Sequence, residues 1–213
     1  MPIPISYAPS QTRRSVLTVF CSGEPWREIH TSIFGFKPEL PKNVPSQVEF
    51  EEIFNALEYR QVKAYALRRL SKQAMPSKML TRALKERLVF EQTIAKIIEE
   101  FTELGFLNDK EWSSSFVRVQ SSKKMGPRAI AQKLAAKGIK GEALEEALEG
   151  SWEPDHQKSL LLNLLNTRYA NRNFSDFKEK NKVVAALMRK GFELPIILEV
   201  IEERIYQFAP RSK

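Results

Sequence analysis

The stretch KKMGPRAIAQKLAAKGI, residues 123–139, decides how the rest of the sequence is interpreted. Its apolar residues recur three and four positions apart, which is typical of an amphipathic α-helix. Pro127 suits the first position of a helix, and Gly138 suits the left-handed position just after a helix ends. The stretch carries five basic residues and no acidic residue. Two interpretations are open: the DNA-reading part of a helix-turn-helix, or one copy of a larger repeat.

The pattern of this stretch occurs three times along the chain. Leu84, Leu134 and Leu187 align at offsets of 50 and 53 residues, each with an apolar residue four positions before it and a basic residue three positions after it. In the second and third copies a glycine and an apolar residue follow, a combination that ends helices. The first copy has Leu88 in place of the glycine, so its turn is open to a different geometry. We interpret the pattern as one supersecondary unit written three times.

Each copy is preceded by a further apolar-periodic segment, which predicts three helices per repeat and about nine helices in all. These additional helices are expected at roughly residues 49–72, 109–120 and 157–171. Repeats of this length cannot bury their apolar faces alone, so they are expected to stack on one another.

The beginning of the chain has a different pattern of amino-acid types. Residues 15–21 are rich in β-branched and aromatic types, a turn follows at 22–25, and residues 26–34 alternate, which together predict a short β-hairpin. The predicted organisation has five parts: a flexible N-terminus at 1–14, a hairpin with a Pro-rich linker at 15–46, and three-helix repeats at 47–105, 106–153 and 154–213, the last with a C-terminal tail.

Composition narrows the class of protein. The chain has 213 residues, 42% of them hydrophobic, and a formal net charge of +8. A basic balance favours an anionic partner, nucleic acid first and an acidic protein surface second. Cys21 is the single cysteine, so an intramolecular disulfide and a cysteine zinc site are excluded. Because no stretch is long and apolar enough for a membrane span, we expect a cytoplasmic protein without a membrane role.

Charge is distributed unevenly within each repeat. Residues 121–141 carry six basic and no acidic residues, whereas residues 142–155 carry six acidic and no basic residues, and the other two repeats split in the same direction. If the repeats stack in register, basic elements should line one side and acidic elements another. The alternative is that these charges only solvate exposed helix faces.

The acidic half of the repeat argues against the helix-turn-helix interpretation. A recognition helix enters the major groove of DNA, and here that helix would be GEALEEALEG, residues 141–150. Its four glutamates would oppose the attraction to phosphates that supplies most non-specific affinity. Sequence-specific readout by this helix is therefore rejected.

The central part of the chain resembles the RecX family, the regulators of the RecA recombinase. The likeness is carried by LGFLNDKEWSSSFV at 104–117 and KMGPRAIAQKLAAKGI at 124–139, and less closely by ALRRLS at 66–71 and TVFCSGE at 18–24. The resemblance implies a mainly α fold: an elongated, curved array of three tandem three-helix repeats after a short β-hairpin. It also implies binding to the RecA–DNA filament, with inhibition of its assembly, recombinase and co-protease activities in DNA repair and the SOS response.

The residues themselves predict a binding protein without catalysis, cofactor or metal. The two histidines lie far apart and neither adjoins Cys21, and no glycine-rich phosphate loop is present. The expected partners are the RecA filament and DNA, contacted directly or through the filament, by a monomer. A sequence-independent DNA-binding protein and a helical scaffold for another acidic partner remain the alternatives. The expected contacts are basic side chains that would meet phosphates or carboxylates: Arg68, Arg69, Lys72, Arg82, Lys123, Lys124, Arg128, Lys133, Arg168 and Arg172.

Overall fold

The computed structural model describes residues 2–149 and 154–208. Contacts divide the chain into two compact units, Met1–Asn108 and Asp109–Lys213. The first unit holds a β-sheet and three long helices, and the second unit holds six helices. The fold is therefore mainly helical with a small N-terminal antiparallel sheet, as the sequence predicts.

The sheet of the first unit has four strands in the order β3-β2-β1-β4, and every neighbouring pair is antiparallel. One short helix, α1, follows the third strand directly. The bounds are β1 Ile3–Pro9, β2 Val16–Cys21, β3 Glu24–His30, α1 Thr31–Phe34 and β4 Asn43–Val44.

The predicted hairpin is confirmed as β2 and β3, with bounds that differ from the prediction. Ser22 and Gly23 form its two-residue turn at φ of 56° and 82°, because two residues at positive φ match the twist of the flanking strands. The second strand begins at Glu24 instead of residue 26 and gives way to α1 after His30. The side chain of His30 caps α1 by accepting a hydrogen bond from the amide of Ser32 at 3.0 Å.

The prediction of a flexible segment at 1–14 is wrong for β1. This strand pairs with β2 from Ile5 to Pro9, and Ile5 packs into the core. Ile3 and Pro4 pair with β4, so the rest of β1 has one free edge, where a proline without an N–H group is tolerated. The predicted linker at 35–46 likewise contains a structured part, β4, whose Val44 is buried.

Nine helices follow in three consecutive trios across the described part of the chain. The first helix of the third trio spans Pro154–Thr167, so it begins and ends earlier than the predicted helix at 157–171. The bounds are α2 Gln47–Lys72, α3 Ser77–Lys85 and α4 Glu91–Glu103; α5 Asp109–Ser122, α6 Pro127–Ala136 and α7 Glu142–Leu148; α8 Pro154–Thr167, α9 Phe177–Arg189 and α10 Leu194–Phe208.

The turn after the second helix of each trio has one geometry in all three copies. Leu88, Gly138 and Gly191 occupy it at φ of 62°, 96° and 93°. The next residue in each copy donates its amide to the carbonyl of the aligned leucine, at 3.3, 3.1 and 3.2 Å, which is the hydrogen bond of a Schellman motif. Leu88 therefore does not alter the turn, although a left-handed conformation strains a residue that carries a Cβ.

The aligned leucines lie at the centres of the cores. Leu84, Leu134 and Leu187 are all 0% exposed. The core of the first unit is continuous from the sheet to α4, whereas the second and third trios have separate apolar clusters. The cluster of the second trio is small, with five buried residues against eleven in the third, so packing within the second trio alone supplies little stability.

Arg27 of β3 ties the sheet to the first trio. Its Nη2 donates to Oε1 of Glu58 at 2.9 Å and to the carbonyl of Leu88 at 2.7 Å. Glu58, on α2, is 0% exposed and also accepts from Oγ1 of Thr93 at 2.6 Å. The guanidinium lies 3.1 Å from the ring centre of Phe90. We call this group the arginine clasp; its hydrogen bonds offset the loss of water from two buried charges.

The second and third trios meet where α6 begins and α9 ends. The amide of Gly126 donates to the carbonyl of Lys190 at 2.7 Å, and the amide of Arg128 donates to the carbonyl of Gly191 at 3.1 Å. A Cβ on Gly126 would lie 2.4–2.5 Å from backbone atoms of Gly191 and Phe192. We call this contact the glycine joint, because it closes only where Gly126 has no side chain.

Candidate anion-binding interface

Many of the segregated charged side chains form ion pairs with one another inside the trios. In each trio a lysine of the first helix pairs with a glutamate of the third, and the nitrogen–oxygen distances run from 2.5 to 3.2 Å. The third helix of each trio therefore neutralises a lysine of the first helix, an arrangement that the charge pattern alone did not predict. The pairs are Lys63–Glu100, Lys110–Glu146 and Lys158–Glu199.

The pair in the first trio perturbs both of its partners. The hydrogen bond from Lys63, together with one from the hydroxyl of Tyr59, lowers the pKa of Glu100. The same bond with Glu100 raises the pKa of Lys63. In the third trio the bond with Glu199 raises the pKa of Lys158 in the same way. Lys63, Glu100 and Lys158 are thus held in their charged forms around neutral pH.

Three of the predicted contact residues are already paired with carboxylates. Arg82 binds Glu86 at 3.0 Å, Arg128 binds Glu193 at 3.2 Å, and Arg172 binds Glu179 at 2.6 Å. A phosphate would have to compete with these carboxylates, so the structure gives these arginines less weight than the sequence did.

Three other predicted residues bind neutral oxygens. Lys133 donates to Oε1 of Gln120 at 3.2 Å and Lys124 to Oδ1 of Asn163 at 2.5 Å. Arg69 is half-buried and donates to the hydroxyl of Tyr65 at 3.3 Å. The positive charge of these three side chains is not cancelled by the contacts they make.

The remaining four, Arg68, Lys72, Lys123 and Arg168, are exposed, and no carboxylate in the described ranges 2–149 and 154–208 forms an ion pair with them. Arg68 and Lys72 stand four residues apart on α2 and so share one face, while Arg69 points elsewhere. Lys123 and Arg168 belong to the second unit. Each unit therefore carries its own unbalanced positive charge.

Sequence analysis missed Lys190 as a member of the charged surface. Its position after α9 indicated only a favourable interaction with the end of the helix. In the structure Lys190 is half-buried, and burial lowers its pKa, with further lowering by the positive charges of Arg168 and Lys124. The amide of Gly126, two residues after Lys124, donates to the carbonyl of Lys190 at 2.7 Å, and Lys124 itself reaches Asn163 on α8 at 2.5 Å. Lys124, Arg168 and Lys190, from two trios, therefore lie in one region, which we call the cation cluster. Its members are distant in sequence, so only the packing of the trios could reveal it.

The start of α6 is not available as an anion site, although helix N-termini commonly bind phosphate. Its first amides, of Gly126 and Arg128, are bound to carbonyls of the α9 turn. The anion-binding capacity of this region therefore rests with side chains.

Other chemistry has little support within the described residues. Cys21 is buried in β2, as expected for a packed side chain, and no group of three or more metal-ligating residues occurs in the described ranges. The glutamate-rich α7 contributes Glu146 to an ion pair. None of the described helices is long and apolar enough to cross a membrane.

Comparison with known proteins agrees with this architecture. The model of the second three-helix domain of RecX matches residues 108–148, and the model of the third matches residues 157–201. Regulatory protein RecX of Enterococcus faecalis is 31% identical over 167 residues, which cover 76% of this chain and 61% of that protein. Regulatory protein RecX of Oceanobacillus iheyensis is 29% identical over 160 residues, covering 72% and 58%. This chain thus spans about six tenths of the length of these two relatives.

Solved structures give the same result for the fold. The crystal structure of RecX from Lactobacillus salivarius superposes with a TM-score of 0.61 at 29% identity, covering 68% of this chain and 95% of that one. A crystal structure of regulatory protein RecX superposes with a TM-score of 0.63 at 24% identity, covering 94% and 99%. With two successive domain matches, these relatives and this fold, the chain belongs to the RecX family.

Proposed function

We propose that this protein is a non-enzymatic regulator that binds the RecA–DNA filament and limits its assembly, its recombinase activity and its co-protease activity. The observation that carries the proposal is the pair of RecX three-helix domains with basic side chains that no described carboxylate neutralises. Relatives that bear the name regulatory protein RecX support a regulatory role. RecA as the target follows from the family resemblance.

The charge distribution supports a filament as the binding partner. Cations that are already paired within the trios have little attraction left for a distant anion, so the effective surface of the trios consists of their unpaired cations. Unpaired cations lie on α2 of the first unit and around the α5–α6 and α8–α9 turns of the second. A partner with repeated negative charge, such as a DNA-containing filament, offers anions to the cations of each unit.

Titration of RecA-driven strand exchange at fixed DNA concentration tests the proposal. We expect inhibition at protein concentrations well below that of RecA, since a filament regulator need not cover the DNA. Unchanged strand exchange across that range would contradict the proposal. Inhibition that begins only near saturating coverage of the DNA would instead identify a sequence-independent DNA-binding protein, with a steep dependence on salt.

Two variants of equal net charge sharpen this titration. The unpaired variant carries Arg68→Gln, Lys72→Gln and Lys123→Gln. The charge-matched control carries Arg14→Gln, Lys37→Gln and Lys42→Gln, three exposed positions outside the helical trios. We expect the unpaired variant to need about tenfold more protein for the same inhibition, which corresponds to 1.4 kcal/mol of binding. The control should inhibit as the wild type does; equal behaviour of both variants would mean that net charge alone matters.

A further inference from the structure

We propose that Lys124, Arg168 and Lys190 form a binding site for a phosphate group that bridges the second and third helical trios. The inference depends on the proposed function in one respect only: the function suggests that a polynucleotide is one source of the phosphate. The site would take one phosphate group at a time, free or as part of a DNA backbone.

The positions of the three side chains are set by backbone contacts. Lys124 has a left-handed conformation, φ 57°, in the turn after α5, and its Nζ reaches Oδ1 of Asn163 on α8 at 2.5 Å. Lys190 follows α9, and its own carbonyl accepts the amide of Gly126 in the glycine joint. Arg168 follows the end of α8. The joint thus brings a lysine of the second trio beside two cations of the third.

No described carboxylate balances this cluster. The neighbouring Glu193 is engaged with Arg128 at 3.2 Å, and the charged groups that act on Lys190 are Arg168 and Lys124, both of which lower its pKa. Like charges held together repel each other, and a half-buried ammonium also loses water. Such an arrangement is stabilised by an anion that is not part of the chain.

A phosphate group fits the chemistry better than a single carboxylate does. Arginine presents a planar fork that matches phosphate oxygens, and lysines act as point charges around it. A phosphate has enough acceptor oxygens for all three side chains, whereas a carboxylate has two oxygens. Because Lys124 and Lys190 belong to different trios, occupancy would also strengthen the joint between them.

Binding of inorganic pyrophosphate and of a fluorescein-labelled oligo-dT to the full chain tests the proposal. The cluster variant carries Lys124→Gln, Arg168→Gln and Lys190→Gln, and the charge-matched control defined above carries the same net charge. For the wild type we expect pyrophosphate to raise the melting temperature, since a ligand of the folded state stabilises it. In the cluster variant this rise should be lost, and it should persist in the control.

The salt dependence of oligonucleotide binding reports how many phosphates the protein neutralises. Loss of a site that neutralises one phosphate should reduce the slope of log K against log salt by about 0.7 for single-stranded DNA. If both probes lose affinity in the cluster variant, the site accepts either source of phosphate. If only the oligonucleotide does, the site is for a polynucleotide. If neither probe distinguishes the cluster variant from the control, the proposal is wrong.

Two further variants distinguish loss of the phosphate site from the general effect of removing three positive charges. Lys124→Gln alone changes one side chain and should weaken both probes to a lesser degree. Gly126→Ala keeps all three cations but opens the joint, so it should also weaken pyrophosphate binding if the site bridges the trios. Circular dichroism at the assay temperature shows whether Gly126→Ala is folded; if it is not, Lys124→Gln decides, and unchanged affinity there overturns the proposal.

The inference and the proposed function fail in different ways. If the cluster variant binds both probes normally but no longer inhibits RecA, the cluster contacts a protein surface, and the phosphate site is wrong while the proposed function stands. If the wild type binds phosphate through the cluster but never inhibits RecA, the site stands and the proposed function fails.

Discussion

The two units of the molecule hold their parts together by opposite means. In the first unit the arginine clasp joins the sheet to the helical trio through a buried ion pair, Arg27 with Glu58. In the second unit the glycine joint links two trios through backbone hydrogen bonds, and its key residue, Gly126, has no side chain. One connection depends on side-chain charge, and the other depends on the absence of a side chain.

This difference shows how repeats of one design can accept different neighbours. The clasp recognises a sheet, whose strand can project a long arginine into the trio and reach the carbonyl of Leu88. The joint recognises another helical trio, whose turn offers carbonyls to unpaired amides at the start of a helix. The clasp also fixes the left-handed turn at Leu88, where the other copies rely on glycine.

Removal of Glu58 should have the largest effect on stability. Glu58→Ala leaves the largely buried guanidinium of Arg27 without a carboxylate partner, and breaking such a pair is expected to lower the free energy of unfolding by about 3–5 kcal/mol. Urea denaturation measures this change. The matched control is Glu28→Ala, which breaks the exposed pair with Arg13 and should have little effect. Equal effects of the two substitutions would show that the clasp does not hold the sheet to the trio.

Substitution of Gly126 should come second. In Gly126→Ala the new Cβ would lie 2.4 Å from a backbone carbon of Gly191, and crowding of this kind costs about 1–3 kcal/mol. Gly105→Ala is the control, because Gly105 has φ of 74° but nothing within 4 Å of the added Cβ. Its cost is conformational only, about 1 kcal/mol. A larger loss for Gly105→Ala than for Gly126→Ala would argue against a close joint.

The caps of α6 and α9 allow a finer comparison. The start of α6 has no side-chain cap and uses the neighbouring trio, whereas Asp176 caps α9 by accepting from the amide of Lys178 at 2.8 Å. Asp176→Ala should therefore cost about 1 kcal/mol, and Asp176→Asn should retain most of the stability. Thermal unfolding of both variants checks this. If alanine and asparagine behave alike, the α9 start does not depend on its own cap.

The smallest effect is expected from the partly exposed pair of Lys63 and Glu100. The pKa of Glu100 is lowered in the folded chain, so its contribution is present at neutral pH and is lost as the pH falls through that lowered value. The difference in melting temperature between wild type and Glu100→Gln should thus be greatest near neutral pH and vanish in acid. A difference that grows as the pH falls below 4 would contradict the assigned direction.

Sequence patterns predicted the parts of the fold that depend on local periodicity. The aligned leucines, the helix-ending turns and the β2–β3 hairpin each leave a signal within a few residues. Strand β1 was missed because its prolines suggested disorder, and only the partner strand supplies the hydrogen bonds that order it. The predicted elongated curvature and domain bounds stay predictions.

The sequence predicted which basic residues could belong to the candidate site, but it did not predict which of them are paired with carboxylates. Composition identified basic side chains, yet whether Arg82 or Arg68 is free depends on which carboxylate the fold places beside it. Arg82 meets Glu86 one turn along its own helix, so this pair was within reach of spacing rules. Lys190 was not, because the glycine joint brings Lys124 to it from the second trio and the packing of the third trio places Arg168 near it.

The central claim is that this protein binds a RecA–DNA filament through the unpaired cations on its RecX-type trios. The most direct measurement is electron microscopy of RecA filaments on single-stranded DNA with wild type, unpaired variant or charge-matched control added. The account predicts that wild type and control shorten the filaments at concentrations well below that of RecA, and that the unpaired variant leaves them long. Filaments of unchanged length with the wild type, or equal shortening by both variants, would contradict it.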